Sequence, residues 1–148
     1  MSPAFGCGRS CGRCREQTPS CGLAQARNRA RVARAYLDVA ELAADEPGDE
    51  ARNVAAGNAV LASIAAADAI CCIRLGRRHR GQDHHAAADL LRTVQPDGRT
   101  LATALATVLA VKDPSHYGET FVSGTKLRST LRAATRLVEA AEMVVAGA

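Results

Sequence analysis

The 148-residue chain contains no tryptophan, and phenylalanine and tyrosine contribute two residues each. So little aromatic bulk argues against a sheet core, which draws on aromatic and β-branched side chains. Lysine is nearly missing too. Lys112 and Lys126 are the only two, so arginine supplies almost all the positive charge. No apolar run is long and uninterrupted enough to span a bilayer; the alanine-rich stretch 54–75 comes nearest but carries Asn58 and Asp68. The N-terminus lacks the apolar block of a secretory signal. The expected location is the cytoplasm, away from the membrane, with all six cysteines reduced.

What the chain has in abundance is alanine. Hydrophobic residues reach 47%, and much of that share is the strongest helix former, small enough to let helices pack closely. The expected class is therefore all-α. A net charge of +4 and a pI near 8.9 permit an anionic partner without requiring one.

Residues 1–23 read as a separate arm of Gly, Pro, Ser, Arg and Cys, with no apolar period to organise it. Cys7, Cys11, Cys14 and Cys21 follow a C-x3-C-x2-C-x6-C spacing. Three readings stay open: disorder, a structural zinc on four thiolates, or a translation start further in, for instance at Val32. Residues 24–148 form one helical domain. Apolar periodicity predicts five helices, over 24–44, 50–75, 84–94, 100–111 and 123–146, with a loop at 112–122. Gly76 is expected to end the second in a left-handed cap, and Asp83 to cap the third. Short connections make an up-and-down bundle the economical architecture.

Chemistry concentrates in the segment 74–85, Arg-Leu-Gly-Arg-Arg-His-Arg-Gly-Gln-Asp-His-His, where four arginines and three histidines lie between two apolar helices. Guanidinium groups hold phosphate through paired donors, and imidazole exchanges protons near neutrality. The segment parses as Arg78-x5-His84, with Arg77 and Arg80 as further phosphate ligands. His84 opens the third helix, where the positive dipole end favours the neutral ring, suited to a general base. On the second helix, Val54, Asn58, Leu61, Ala65, Asp68, Cys72 and Leu75 follow a four-three spacing that places Asn58 and Asp68 on the apolar seam. A buried carboxylate needs a cation, and the arginines after the helix or a histidine of the next helix are the expected partners of Asp68. Cys71 and Cys72 are expected to be small core residues. A second cluster is Lys112-Asp-Pro-Ser-His116-Tyr117-Gly118. No metal or cofactor is expected.

In this order of features the chain resembles the HEPN family of small helical domains, over roughly residues 27–145. The resemblance rests on the alanine-rich helix over 53–75, Asp83-His84 followed by Leu90-Leu91, Lys112-x3-His116-Tyr117-Gly118, and Val122-Ser123 leading into a final amphipathic helix. It implies a homodimeric bundle whose two copies share a cleft for nucleotide or RNA. Family members with an R-x4-6-H motif are metal-independent endoribonucleases, often toxins paired with a nucleotidyltransferase partner. The resulting expectation is a nucleotide- or RNA-phosphate-binding domain. Its catalytic candidates are Arg78, His84 and His116, and its phosphate-binding candidates are Asp68, Arg77, Arg80, Lys112 and Tyr117. Two alternatives accompany it: an endoribonuclease toxin, and a non-catalytic bundle that docks another protein.

Overall fold

The computed structural model describes residues 20–117 and 120–148, the side chains of His116 and Tyr117 excepted. Among these the chain is all-α, with six helices: α1 (Leu23–Asp45), α2 (Asp49–Leu75), α3 (His84–Arg92), α4 (Gly98–Leu109), α5 (Lys112–Tyr117) and α6 (Gly124–Ala146). Five match the expected helices. The sixth, α5, forms where a loop was expected. Pro114 is compatible with it because it falls in the first turn, where a backbone N–H has no helical acceptor anyway.

Local chemistry sets the helix ends. The Asp83 carboxylate accepts from the His85 and Ala86 amides at 3.0 and 3.2 Å, and the Ser123 hydroxyl from the Lys126 amide at 3.2 Å. Gly76 adopts φ 66°, ψ 12° and closes α2 by donating to the Cys72 carbonyl. Gly98 serves packing: a Cβ there would lie 2.6 Å from the Leu91 carbonyl oxygen, so only glycine allows α4 to start against the end of α3.

α2 is the hub and touches all five other helices. By length and composition it could cross a membrane, but 72% of its most apolar window is buried inside the fold. Its buried side is mostly alanine, joined by Val60 and Ile70. Against it pack Ala33, Leu37 and Ala40 of α1, Leu91 of α3, Leu105 and Val108 of α4, and Leu127, Leu137 and Val138 of α6.

The four-three seam expected on α2 is displaced. Val54 and Leu61 are exposed, and Asn58 donates to the Val54 carbonyl of its own helix at 2.9 Å. A helix surrounded on nearly every side keeps only a narrow strip in solvent, and these residues lie on it. The buried amide is Asn53. Its Oδ1 accepts from the Val122 amide at 2.8 Å, and its Nδ2 donates to the Pro114 and Thr120 carbonyls at 3.4 and 3.3 Å. Arg52 donates to the Val122 carbonyl at 3.0 Å. Together they fasten the chain between α5 and α6 onto α2.

The cysteines correct a second expectation. Cys21 and Cys72 form a disulfide, so neither is a free thiol, Cys72 is not simply a small core residue, and Cys21 has no thiolate for zinc. Cys7, Cys11 and Cys14 lie outside the described residues. The end of the arm is tied down: the Cys21 amide donates to the Gly76 carbonyl at 3.1 Å, and Ser20 bridges to Arg77.

Candidate functional site

Asp68 anchors one end of the molecule. It sits on the buried side of α2, two turns beyond Val60 and one turn before Cys72, and is 8% exposed. Its Oδ2 accepts from Arg29 of α1 at 2.7 Å and from Arg78, just past α2, at 3.4 Å. Desolvation pushes its pKa above the ordinary carboxylate range, against the pull of Arg29 and Arg78. Two guanidinium groups share one carboxylate, so the cluster keeps a net positive charge. Beside it, burial pushes the free Cys71 thiol up to about 12, which leaves it protonated and inert.

The pairing of Asp68 with an arginine after the helix was expected; Arg29 was not. Its position on the edge of the Ala26–Ala30–Ala33 stripe was the available signal, a cation where the apolar face meets solvent. His79 was also passed over. Its Nε2 is enclosed with no hydrogen-bond partner, and its charge acts on His84.

A groove of about 470 Å³ opens beside this cluster, between the start of α3, the end of α4 and the start of α5. His84, His85, Lys112 and Asp113 line it, with Ala106 and Leu109 as an apolar wall. Burial holds the His84 pKa below its ordinary value, followed by the nearby Lys112 and His79 charges; Asp83 and Asp68 pull the other way. The lowering at this position thus arises mainly from enclosure and neighbouring cations.

The structure brings His84 and Lys112 into one groove and pairs Asp68 with Arg78. Arg77 and Arg80 are exposed on the connection between α2 and α3, outside the groove lining. The backbone of His116 lies one helical turn past Lys112 on α5; its side chain and that of Tyr117 are outside the described residues. Among the described residues no group of three or more His, Cys, Asp or Glu side chains could hold a metal ion. Chemically, the arrangement offers an imidazole with a lowered pKa, an ammonium in the same groove, and a doubly arginine-bound carboxylate nearby. That set suits an anion with a transferable or hydrogen-bonded proton. Comparison with known proteins finds no matching family model, no curated relative and no similar solved structure.

Proposed function

We propose that the chain is a HEPN-like helical domain that binds the phosphate of a nucleotide or RNA, acting as a homodimer. The observation that carries this reading is the shared groove of His84 and Lys112 beside the Arg29–Asp68–Arg78 cluster. Lys112 supplies charge to the phosphate, and Arg77 and Arg80 extend the cationic rim. Arg78 is a positioning residue, paired with Asp68 in the neighbouring cluster. His116 and Tyr117, on the same short helix as Lys112, complete the proposed site.

A second reading is favoured by the depressed His84 pKa. A neutral imidazole next to a cation is a pairing that suits metal-free RNA cleavage: the base takes the 2′-hydroxyl proton as that oxygen bonds to phosphorus, the cation stabilises the phosphate, and the departing 5′-oxygen takes a proton from an acid or from water. In that case the protein is an endoribonuclease toxin, with a nucleotidyltransferase-type protein as its partner.

Incubating the purified protein with total RNA, alongside the Arg78→Ala and His116→Ala variants, tests both. Salt-sensitive RNA binding that both variants weaken, without cleavage, supports the binding domain. Cleavage that is lost in the variants supports the enzyme. Binding that is unchanged between low and high salt removes the phosphate reading.

A further inference from the structure

A second groove, of about 510 Å³, runs along the other flank of α4, between that helix and α6. Arg132 and Arg136 stand one turn apart on its α6 wall, and no carboxylate lines it. The acids nearest in sequence, Asp97 and Glu139, lie outside the lining. Arg132 donates only a long 3.4 Å bond to the Arg128 carbonyl, and Arg136 has no ion pair among the described residues. This differs from the groove between α1 and α6, where Arg34 makes two bonds to Glu142, of 2.7 and 2.8 Å, and its charge is already neutralised. The α4–α6 groove therefore presents two uncommitted guanidinium groups to whatever enters it.

Its other polar groups are hydroxyls: Thr100, which makes no side-chain hydrogen bond among the described residues, and three with a particular polarity. Thr103 donates to the Arg99 carbonyl, Thr107 to the Thr103 carbonyl and Ser129 to the Thr125 carbonyl, at 3.0 to 3.1 Å. With their protons directed to carbonyls within the helices, these three oxygens are left to accept. A phosphate, itself an acceptor, gains nothing from them, but a ribose 2′-hydroxyl has a proton to give. Ala104 and Ala133 add no bulk, which leaves room for a sugar or a base between the helices.

We propose that this groove binds the backbone of single-stranded RNA, with Arg132 and Arg136 on phosphates and the hydroxyls of Thr103, Thr107 and Ser129 accepting from 2′-hydroxyls. The bound strand crosses α4 toward the groove of His84 and Lys112, because Ala106 and Leu109 of the same helix face that site. This last step rests on the function proposed above; binding in the α4–α6 groove does not.

Fluorescence anisotropy with the full chain tests the proposal, using a labelled oligouridylate, the matching oligodeoxyuridylate, and uridine monophosphate as an unlabelled competitor. The Arg132→Ala/Arg136→Ala variant is expected to bind oligouridylate at least about tenfold more weakly, with a salt slope reduced by about 1.4 for two lost single-strand contacts. Arg132→Lys/Arg136→Lys should keep most of the affinity, and circular dichroism should show both variants folded. The deoxy strand should bind more weakly than the ribo strand. Parental affinity in the alanine variant overturns the proposal, as does equal binding of the two strands. If oligouridylate binding depends on these arginines but uridine monophosphate fails to bind the chain at all, the groove stands and the reading of the His84 site falls.

Discussion

Arg29 holds Asp68 more closely than Arg78 does, at 2.7 against 3.4 Å, although it reaches across from α1 over 39 positions of sequence. The carboxylate thus ties three segments together: α1, α2 and the connection that follows α2. Both arginine side chains are about one-third exposed, at 33% and 29%, so each can turn to water if its partner is lost. Removing either alone leaves Asp68 one cation. Removing both leaves a buried charge unpaired. The Arg29→Ala/Arg78→Ala variant is expected to lose about 2 kcal/mol, reduced from the value for fully enclosed pairs because these arginines are solvated. Adding Asp68→Asn should return most of that loss. Urea denaturation of the single, double and triple variants checks it, and additive single losses with no recovery would contradict the shared-carboxylate account.

The imidazole of His84 titrates below its ordinary range, and the sign of the consequence for stability follows. On unfolding the ring regains a value of about 6.5, so between the two values the unfolded chain binds more protons. The contribution of His84 is complete above the unfolded value and is lost as pH falls through the lower folded one. Proton NMR of the ring should show the depressed midpoint. Lys112→Ala should raise it part of the way only, since burial is the larger cause. A midpoint at the ordinary value would show that the ring is not enclosed.

The Cys21–Cys72 disulfide closes a separation of 51 residues. Chain-entropy arguments give such a link about 4 kcal/mol relative to the open unfolded chain. Thiol buffers in a cytoplasm would draw the pair toward the dithiol, so its stabilisation is conditional on compartment. The oxidised protein should melt several degrees above the reduced one, and Cys72→Ser should melt at the lower temperature in both conditions. Peptide mapping without reductant identifies the bond directly; a Cys21–Cys71 linkage would refute the pairing.

Asn53→Ala removes three hydrogen bonds and leaves the buried amide of Val122 without an acceptor. The expected cost is about 2 kcal/mol. Because the loss falls on one connection, the Val122 amide should exchange with deuterium far faster in the variant, while amides in the middle of α6 should slow or quicken only with global stability. Uniform acceleration would mean that Asn53 supports the whole bundle instead of this connection.

Features that depend on a few neighbouring residues were legible in the sequence. The cap at Asp83 and the left-handed Gly76 follow from local chemistry. The burial of Asp68 was legible as well, because a carboxylate amid alanines stands out. Arg29, Asn53 and the disulfide were not, since each acts on a partner 39 to 69 positions away and nothing nearby marks it. The seam assigned to α2 failed for a related reason. Periodicity identifies a buried face when one face is buried, and α2 is enclosed on most of its circumference.

That enclosure has a further consequence. Where α2 meets its neighbours through Ala55, Ala59, Ala62, Ala66 and Ala69, all fully buried, inter-axial spacing is set by backbone bulk and methyl groups. Such a centre has almost no slack for growth. Trimming a methyl there leaves a small void that neighbours can partly fill, whereas a leucine would wedge two helices apart along their whole length. Sequence drift along this helix is therefore asymmetric, open toward glycine and serine and closed toward anything larger.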